Sequence, residues 1–399
     1  MQHVTDTQRR SRLAVRHALA PQAHVSTPED ATTAMTAMHA TEPASVYLSY
    51  WARIQSLDRA EVDRALYSDR SLVKQLAMRR TVFVFPRDLL PATLPSASAR
   101  VALTERARIA KDVVTVGIAV DGNLWLDRAR AAVLAQLEKT PEGLTAAEIR
   151  LAVPTLDVKV SPTGGEAWGA PRILTQLGAS GDIFRGANTG RWRTSRPRWT
   201  SARHWLGAEI EHLDAQAGYR EIVRRWLFSF GPATEGDLVW WLGATKSIVR
   251  QALADVGAVA VSLDRGAIGW LLPDDLDEVA DPGAWTGLLP VLDPTVMGWR
   301  NREFYLGNHA EALFEKRGNA GTTAWVNGRI VGCWIQDARA TVQIHLVDSI
   351  TKGERQALDG DARRLTEWLD GETVGTIYMS PAMRLAVANH VEQIEPAQA

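Results

Sequence analysis

The stretch YREIVRRWLFSFGPATEGDLVWWLGATKSIVRQALADVGAVAVSLDRGAIGWLL, residues 219–272, decides the fold. Its first part spaces apolar side chains at i, i+3 and i+4, which places them on one face of a helix. These side chains are Tyr219, Ile222, Val223, Trp226, Leu227 and Phe230. Thr234 followed three residues later by Asp237 has the form of a capping box, so a second helix is expected to begin there and to end at Gly243.

A third helix is expected over residues 246–256, with Lys246 and Arg250 on its outer face. Two short strands, 258–263 and 268–272, are expected to follow as a hairpin. Three helices followed by a hairpin are the order of a winged helix, in which the third helix is placed to enter the major groove of DNA.

Composition fits a packed globular protein of more than one unit. The chain has 399 residues, of which 46% are hydrophobic and 23% charged, and its formal net charge is −1. A nucleic-acid role must therefore rest on local clusters of positive charge. The single cysteine, Cys333, excludes an intramolecular disulfide, and neither a signal peptide nor a membrane span is expected. We expect a cytoplasmic, nucleoid-associated monomer.

One cluster of positive charge stands out. Residues 183–203 contain no acid and six arginines, which are Arg185, Arg191, Arg193, Arg196, Arg198 and Arg203. Trp192 and Trp199 lie among them, and arginines with aromatic side chains suit phosphates and bases, although a solvated basic face with two buried tryptophans is the simpler alternative.

A second copy of the same order precedes this cluster. Thr145 and Glu148 form a capping box, and residues 182–185 and 191–194 are expected to be the strands of a basic hairpin. Tandem DNA-reading units favour a DNA partner. The N-terminal segment is expected to hold a degenerate third copy, a helix running from Pro28 through Met38, and a β-rich run at 81–85.

The pattern changes beyond residue 272. Strands are expected at 322–326, 330–334 and 341–346, with a hairpin turn at Asn327-Gly328. The C-terminal unit is expected to be a small β-sheet or a barrel. The fold class is thus α+β, with tandem winged-helix motifs and this C-terminal unit, which we assign as a β-barrel. We divide the chain into an N-terminal helical segment (1–125), a winged helix with the basic wing (126–200), a second winged helix (201–287) and the barrel-like unit (288–399).

The sequence resembles the AlkZ/YcaQ family of winged-helix DNA glycosylases. The matching stretches are 43–53, 71–86, 190–199, 219–270, 288–302 and 327–334. The resemblance implies tandem winged helices around a channel and the removal of alkylated purines, including bulky adducts and crosslinks, from duplex DNA. The family's catalytic motif, a glutamine, an apolar residue and a glutamine or aspartate, falls on His39, Ala40 and Thr41, so neither polar identity is kept.

The chemistry indicates roles for these residues. A purine alkylated at N7 or N3 is already a good leaving group, so the enzyme must stabilise an oxocarbenium-like sugar and place a water. His39 and Thr41 are candidates to hold that water, and Asp293 or Glu42 to supply negative charge. Each is equally explained as a capping, core or turn residue. No cofactor or metal is expected, because the nine histidines include no pair at i, i+3 or i, i+4.

Two functions remain open from the sequence. The first is a monofunctional DNA glycosylase acting on alkylated purines. The second is a non-catalytic winged-helix DNA-binding protein, either a regulator or a lesion-recognition factor. Both predict duplex DNA as the partner, with contacts from Arg185, Arg191, Arg193, Arg196, Arg198, Lys246, Arg250, Arg300 and Arg302.

Overall fold

The structure is a computed structural model that describes residues 1–159, 169–208 and 210–394, with side chains as far as 389. The helices are α1 (Asp6–Arg16), α2 (Pro28–Ala34), α3 (Pro43–Trp51), α4 (Arg59–Asp63), α5 (Leu90–Thr93), α6 (Ala99–Thr115), α7 (Gly122–Glu138), α8 (Ala146–Ala152), α9 (Gly169–Ala179), α10 (Ala202–Leu206), α11 (Ala215–Phe230), α12 (Glu235–Leu242), α13 (Lys246–Asp255), α14 (Pro294–Met297), α15 (Glu303–Leu306), α16 (Ala310–Leu313), α17 (Lys352–Leu369) and α18 (Pro381–Ile394).

The strands form four small sheets. They are β1 (His3–Val4), β2 (Met38–His39), β3 (Leu72–Leu76), β4 (Val82–Pro86), β5 (Ile183–Asn188), β6 (Pro197–Ser201), β7 (Val259–Leu263), β8 (Ile268–Leu271), β9 (Thr286–Leu289), β10 (Thr323–Val326), β11 (Arg329–Gln336) and β12 (Val342–Leu346). The sheet orders are β1-β7-β8, β2-β4-β3, β5-β6 and β12-β11-β10-β9. The fold is therefore a mixture of helices and small sheets.

The stretch 219–272 forms the elements predicted for it. Helices α11, α12 and α13 are followed by the antiparallel pair β7 and β8. Thr234 and Asp237 make both hydrogen bonds of the capping box at the start of α12, and Gly243 ends that helix with a left-handed backbone. The pair gains a third strand from the start of the chain, because β1 lies parallel to β7.

Two predicted elements are wrong in the first half of the chain. Helix α2 ends at Ala34 rather than Met38, because Thr36 takes a positive φ of 62° and the chain then enters strand β2. In the basic hairpin, residues 191–194 lie in the connection and the second strand is β6 at Pro197–Ser201. The pairing of Arg185 with Trp199 sets this register.

The predicted C-terminal β-barrel is wrong, because the C-terminal sheet is open and no closed barrel is present in the described part of the chain. Its order, β12-β11-β10-β9, leaves β12 and β9 at opposite edges, and helix α17 packs against both edge strands. The Asn327-Gly328 turn joins β10 to β11 as predicted, with positive φ at both residues. Cys333 is buried in β11, where burial raises the pKa of its thiol to about 12.

A buried polar network joins distant parts of the chain. The Arg53 guanidinium on the C-terminal side of α3 donates to both carboxylate oxygens of Asp293, at 2.9 and 2.8 Å, although 240 residues separate them. Arg53 also donates to the Thr295 hydroxyl, which lies 2.9 Å from Nδ1 of His17. Ser49 donates to Asp293 as well. Both charged side chains are fully inaccessible to solvent.

The apolar core around this network draws on both ends of the chain. One cluster of buried residues runs through α1, α3, β4, α11, α12 and the C-terminal sheet. A second cluster, with members between Ile109 and Trp199, lies under the basic hairpin. The polar network therefore joins the ends of α1 and α3 to the start of α14, and His17 also lies 3.1 Å from the Ser229 carbonyl on α11.

Removing one partner of the buried pair should destabilise the protein strongly. Asp293→Ala leaves the Arg53 charge buried without a counter-ion, which costs about 3–5 kcal/mol in the free energy of unfolding. Asp359→Ala is the matched control, because it removes an exposed carboxylate paired with Arg355 on α17 and should cost less than about 1 kcal/mol. Denaturant unfolding measures both, and equal losses would contradict the assignment.

Acid should destabilise the fold through His17 and His39. Burial lowers the pKa of each to about 3, assisted by Arg53 at His17 and by Arg79 at His39, and Asp293 opposes both effects. The unfolded chain takes up these protons near pH 6.5. The contribution of the two neutral histidines to the free energy of unfolding is therefore fully present above that pH. It falls toward pH 3 by about 1.4 kcal/mol per pH unit for each histidine.

Unfolding curves recorded between pH 7 and pH 4 measure this slope. His39→Gln removes one titrating group from the interior, so the variant should lose the share of the slope that belongs to His39. The same slope in the variant and the parent would mean that His39 does not titrate on unfolding in this range.

Candidate active site and nucleic-acid interface

The strand β2 positions the residues of the altered motif. Met38 pairs with Val84 and His39 with Phe83 across to β4, and the Ala40 N–H donates to the Val82 carbonyl at 2.8 Å. β2 is an edge strand of its sheet. The motif thus lies at a sheet edge, with its register fixed by β4.

His39 lies under this edge as a neutral imidazole. Its ring packs edge-on against Phe83 at 5.2 Å between centroids, and only 6% of the residue is exposed. Burial, followed by the charge of Arg79, lowers the pKa of His39 to about 3, and Asp293 opposes this. Its Nδ1 is buried and has no hydrogen-bond partner among the described residues. An imidazole in this state can accept a hydrogen bond but cannot act as an acid near neutral pH.

Thr41 is exposed and faces a cleft shared with the basic hairpin. The cleft has a volume of about 250 Å³. It is lined by Ala40, Thr41, Pro43, Tyr67, Lys74, Val82, Arg185, Gly186, Asn188, Thr194, Ser195 and Pro197. His39 is not part of this lining, but Ala40 connects it to the cleft wall. The structure therefore brings Thr41 and Arg185 together and leaves His39 one layer below.

Sequence reasoning missed Lys74 and Tyr67. The Lys74 ammonium donates to the Tyr67 hydroxyl at 2.7 Å and lies 5.1 Å from the centre of the Tyr67 ring. Both side chains line the cleft beside Thr41. A lysine in the middle of an otherwise buried strand, β3, was the signal available in the sequence.

Asp293 lies away from the cleft, in the buried network. Its carboxylate accepts from Arg53, Ser49 and the Thr295 N–H, and these bonds occupy the lone pairs of both oxygens. Burial alone would raise the pKa of Asp293, but Arg53 and the other donors hold it below its usual range. The carboxylate thus has no free position for a sugar or a water, and its charge reaches His39 only through space.

Glu42 is the acidic residue next to Thr41. Burial raises the pKa of its carboxyl, and hydrogen bonds from the Ile377 N–H and the Thr376 hydroxyl partly offset that rise. Glu42 also precedes helix α3 directly. Glu42 does not line the cleft of Thr41 but a neighbouring cavity, which it shares with residues 373–376 of the C-terminal part of the chain.

The arginines of the basic hairpin differ in their surroundings. Arg185 lines the cleft and stacks over the Trp199 ring at 4.5 Å, and burial lowers its pKa to about 10, so it remains a cation at neutral pH. Arg198 donates to the Gly143 carbonyl at 3.0 Å and so fixes the hairpin to the preceding helices.

The tip of the hairpin presents the free charge. Arg193 pairs with Glu372 at 2.9 Å. Arg191 and Arg196 are exposed, and neither forms an ion pair with any residue that the structure describes. These two are thus available for phosphates.

The remaining predicted contacts lie on α13 and after α14. Lys246 is exposed at the start of α13, whereas Arg250 pairs with Glu235 at 2.8 Å. Arg300 is exposed, and Arg302 stacks on aromatic rings and donates to the Trp299 carbonyl. Lys246 and Arg300 therefore present free positive charge, and Arg250 and Arg302 already have protein partners.

Comparisons with known proteins give a family and a solved structure with a similar fold. A sequence profile of the family described as "DNA glycosylase AlkZ-like" matches residues 32–368. Among solved structures, the chain is similar to the Streptomyces sahachiroi DNA glycosylase AlkZ, with a TM-score of 0.74 and 19% sequence identity, over 92% of this chain and 98% of that one. A search of curated proteins found no match.

Two structural properties limit the kinds of site. In the described ranges, no helix is long and apolar enough to cross a membrane. No group of three or more histidine, cysteine, aspartate or glutamate side chains there is placed to hold a metal ion.

Neutralising the free arginines at the hairpin tip should weaken duplex binding and its dependence on salt. The double variant Arg191→Gln, Arg196→Gln removes two phosphate contacts, so the slope of log K against log salt should flatten by about 1.8. Arg355→Gln on α17 is the control, because this arginine is paired with Asp359. Fluorescence anisotropy over a salt series measures the slope, and equal slopes in all three proteins would remove the tip from the interface.

Proposed function

This chain belongs to the DNA glycosylase AlkZ-like family, and we propose that it hydrolyses the N-glycosidic bond of alkylated purines in duplex DNA. The profile covering residues 32–368 carries the assignment to the DNA glycosylases. The finer proposal rests on the cleft that joins Thr41 to Arg185. Simple N7 and N3 adducts, bulky adducts and crosslinked purines are all within the proposed class.

The chemistry needs little acid catalysis. Alkylation at N7 or N3 makes the purine a cation, so it leaves without a proton from the protein. The groups that matter stabilise the sugar cation and position a water near C1′. A site with a neutral imidazole, a hydroxyl and a nearby carboxylate matches that requirement.

We assign the water to Thr41 and His39. The Thr41 hydroxyl can both donate and accept, and it faces the cleft. His39 lies one layer below, and we propose that its buried, unpartnered Nδ1 accepts a hydrogen bond from a water that penetrates the edge of β2, since the low pKa of His39 keeps the ring neutral. Ala40 between them is small, which leaves room for a water at this edge. Glu42 supplies the negative charge near the sugar, a role for which Asp293 is too deeply buried.

We further propose that the two helical units grip the duplex as tandem winged helices. The order α11, α12, α13, β7, β8 and the order α7, α8, α9, β5, β6 both support this arrangement. In it, α13 with Lys246 enters a major groove, and the basic hairpin lies along the backbone near the cleft. A single chain then carries both reading units, which supports action as a monomer.

The non-catalytic alternative rests on one observation. His39, Ala40 and Thr41 stand where the family has its glutamine-containing motif, and the His39 side chain lies below the cleft. A protein that binds lesions without hydrolysis would retain the basic surface and lack base release.

Base release from a defined lesion decides between the two functions. A duplex carrying one N7-alkylguanine is incubated with the protein and heated in alkali, and strand scission at the lesion reports excision. The parent should release the base, so its alkali-treated product should show strand scission at the lesion. Thr41→Val and His39→Ala should each lower the rate by about 100-fold, because the water is no longer held.

Thr33→Val, an exposed threonine on α2, is the matched control and should retain the parental rate. Salt-sensitive duplex binding without scission, over a panel of simple and bulky adducts, would support the non-catalytic function. Full activity in His39→Ala would overturn only the role proposed for His39, and the proposed glycosylase activity would stand.

A further inference from the structure

A short segment, residues 372–378, connects the two halves of the candidate site. At its start, the Glu372 carboxylate accepts from the Trp192 indole N–H at 2.8 Å and from the Arg193 guanidinium at 2.9 Å. Both donors belong to the connection of the basic hairpin. The segment is therefore tied to the DNA-facing hairpin at one end.

The other end of the segment is tied to the altered motif. Thr376 and Glu42 line one cavity, and the Ile377 backbone and the Thr376 side chain lie close enough to the Glu42 carboxyl to offset part of the rise in its pKa. Glu42 follows Thr41 directly in the chain. Ile377 is consequently held beside the residue that lines the cleft.

The segment presents alternate side chains to solvent. Val374, Thr376 and Tyr378 are half-buried, whereas Thr373, Gly375 and Ile377 between them are exposed, which is the period of an extended chain. The Val374 N–H also donates to the Gln336 side chain at 2.8 Å, so the inward register is fixed. Ile377 has 82% of its surface exposed as a result of this register.

We propose that Ile377 is a wedge that enters the DNA base stack beside the lesion. Apolar side chains inserted between base steps from the minor groove partly unstack them and kink the duplex. Ile377 has the required chemistry, an exposed position, and a place in a segment that Glu372 ties to the basic hairpin and that Thr376 brings beside Glu42. Insertion would remove its apolar surface from water and open the path to C1′ of the neighbouring nucleotide. This proposal rests on the proposed action on duplex DNA.

Other exposed apolar residues lack these tethers. Leu385 on α18 is 53% exposed, and single exposed apolar side chains are common on protein surfaces. The distinction lies in position, because Ile377 belongs to the segment that Glu372 ties to the basic hairpin, whereas Leu385 lies on α18. Leu385→Ala is therefore the control for a change of exposed apolar surface.

The test uses duplexes with 2-aminopurine next to one N7-alkylguanine, since the fluorescence of 2-aminopurine rises when it is unstacked. The parent should raise the fluorescence on binding, and Ile377→Ala should abolish most of that rise and slow base release by about tenfold or more on duplex. Ile377→Leu and Leu385→Ala should behave as the parent. On a single-stranded lesion, Ile377→Ala and the parent should release the base at equal rates, because no stack has to be opened.

The outcomes separate the wedge from the glycosylase activity. If the parent unstacks 2-aminopurine but releases no base, the wedge proposal stands and the proposed hydrolysis is wrong. A parent that releases base with no fluorescence rise, or an Ile377→Ala variant equal to the parent in both readouts on duplex, overturns the wedge. Equal unfolding midpoints for the variant and the parent exclude a folding defect, as expected for a side chain 82% exposed.

Discussion

The arrangement of the site depends on one ion pair that is completely removed from water. Desolvating Arg53 and Asp293 is costly, and the pair is tolerated because Ser49, the Thr295 hydroxyl and the Thr295 N–H add hydrogen bonds to the two charged groups. A shift of α3 against the start of α14 would break several of these bonds together. The pair therefore defines a single position for α3, and this position in turn fixes where the residues just before α3 lie.

That position matters because the altered motif is held from both sides. Strand β4 fixes His39 by its pairing with Phe83, and α3 begins at Pro43, two residues beyond Thr41. The cleft then forms where this fixed edge meets the basic hairpin. The same interior lowers the pKa of His39, so the electrostatic state of the site follows from the way the core is assembled.

Local patterns in the sequence were sufficient for some elements and insufficient for others. The capping box of Thr234 and Asp237 and the turn at Asn327-Gly328 depend on neighbouring residues, and both are confirmed. Strand β2 and the second strand of the basic hairpin exist through pairing with distant partners, which local propensity does not encode. Asp293 was predicted as a site residue that supplies negative charge. Its charge is instead paired with Arg53, which lies 240 residues away in the chain, so neighbouring residues do not reveal the pair. The domain boundaries and the roles of the site residues stay predictions.

The ties at Glu372 and Glu42 have a consequence for biosynthesis. A nascent chain that has emerged only as far as the basic hairpin already contains His39, Thr41 and Arg185, but it lacks the segment that braces them. Arg53 also remains solvated until Asp293 leaves the ribosome. The earlier part of the polypeptide can fold locally during translation, yet the candidate site is complete only after the C-terminal residues have emerged.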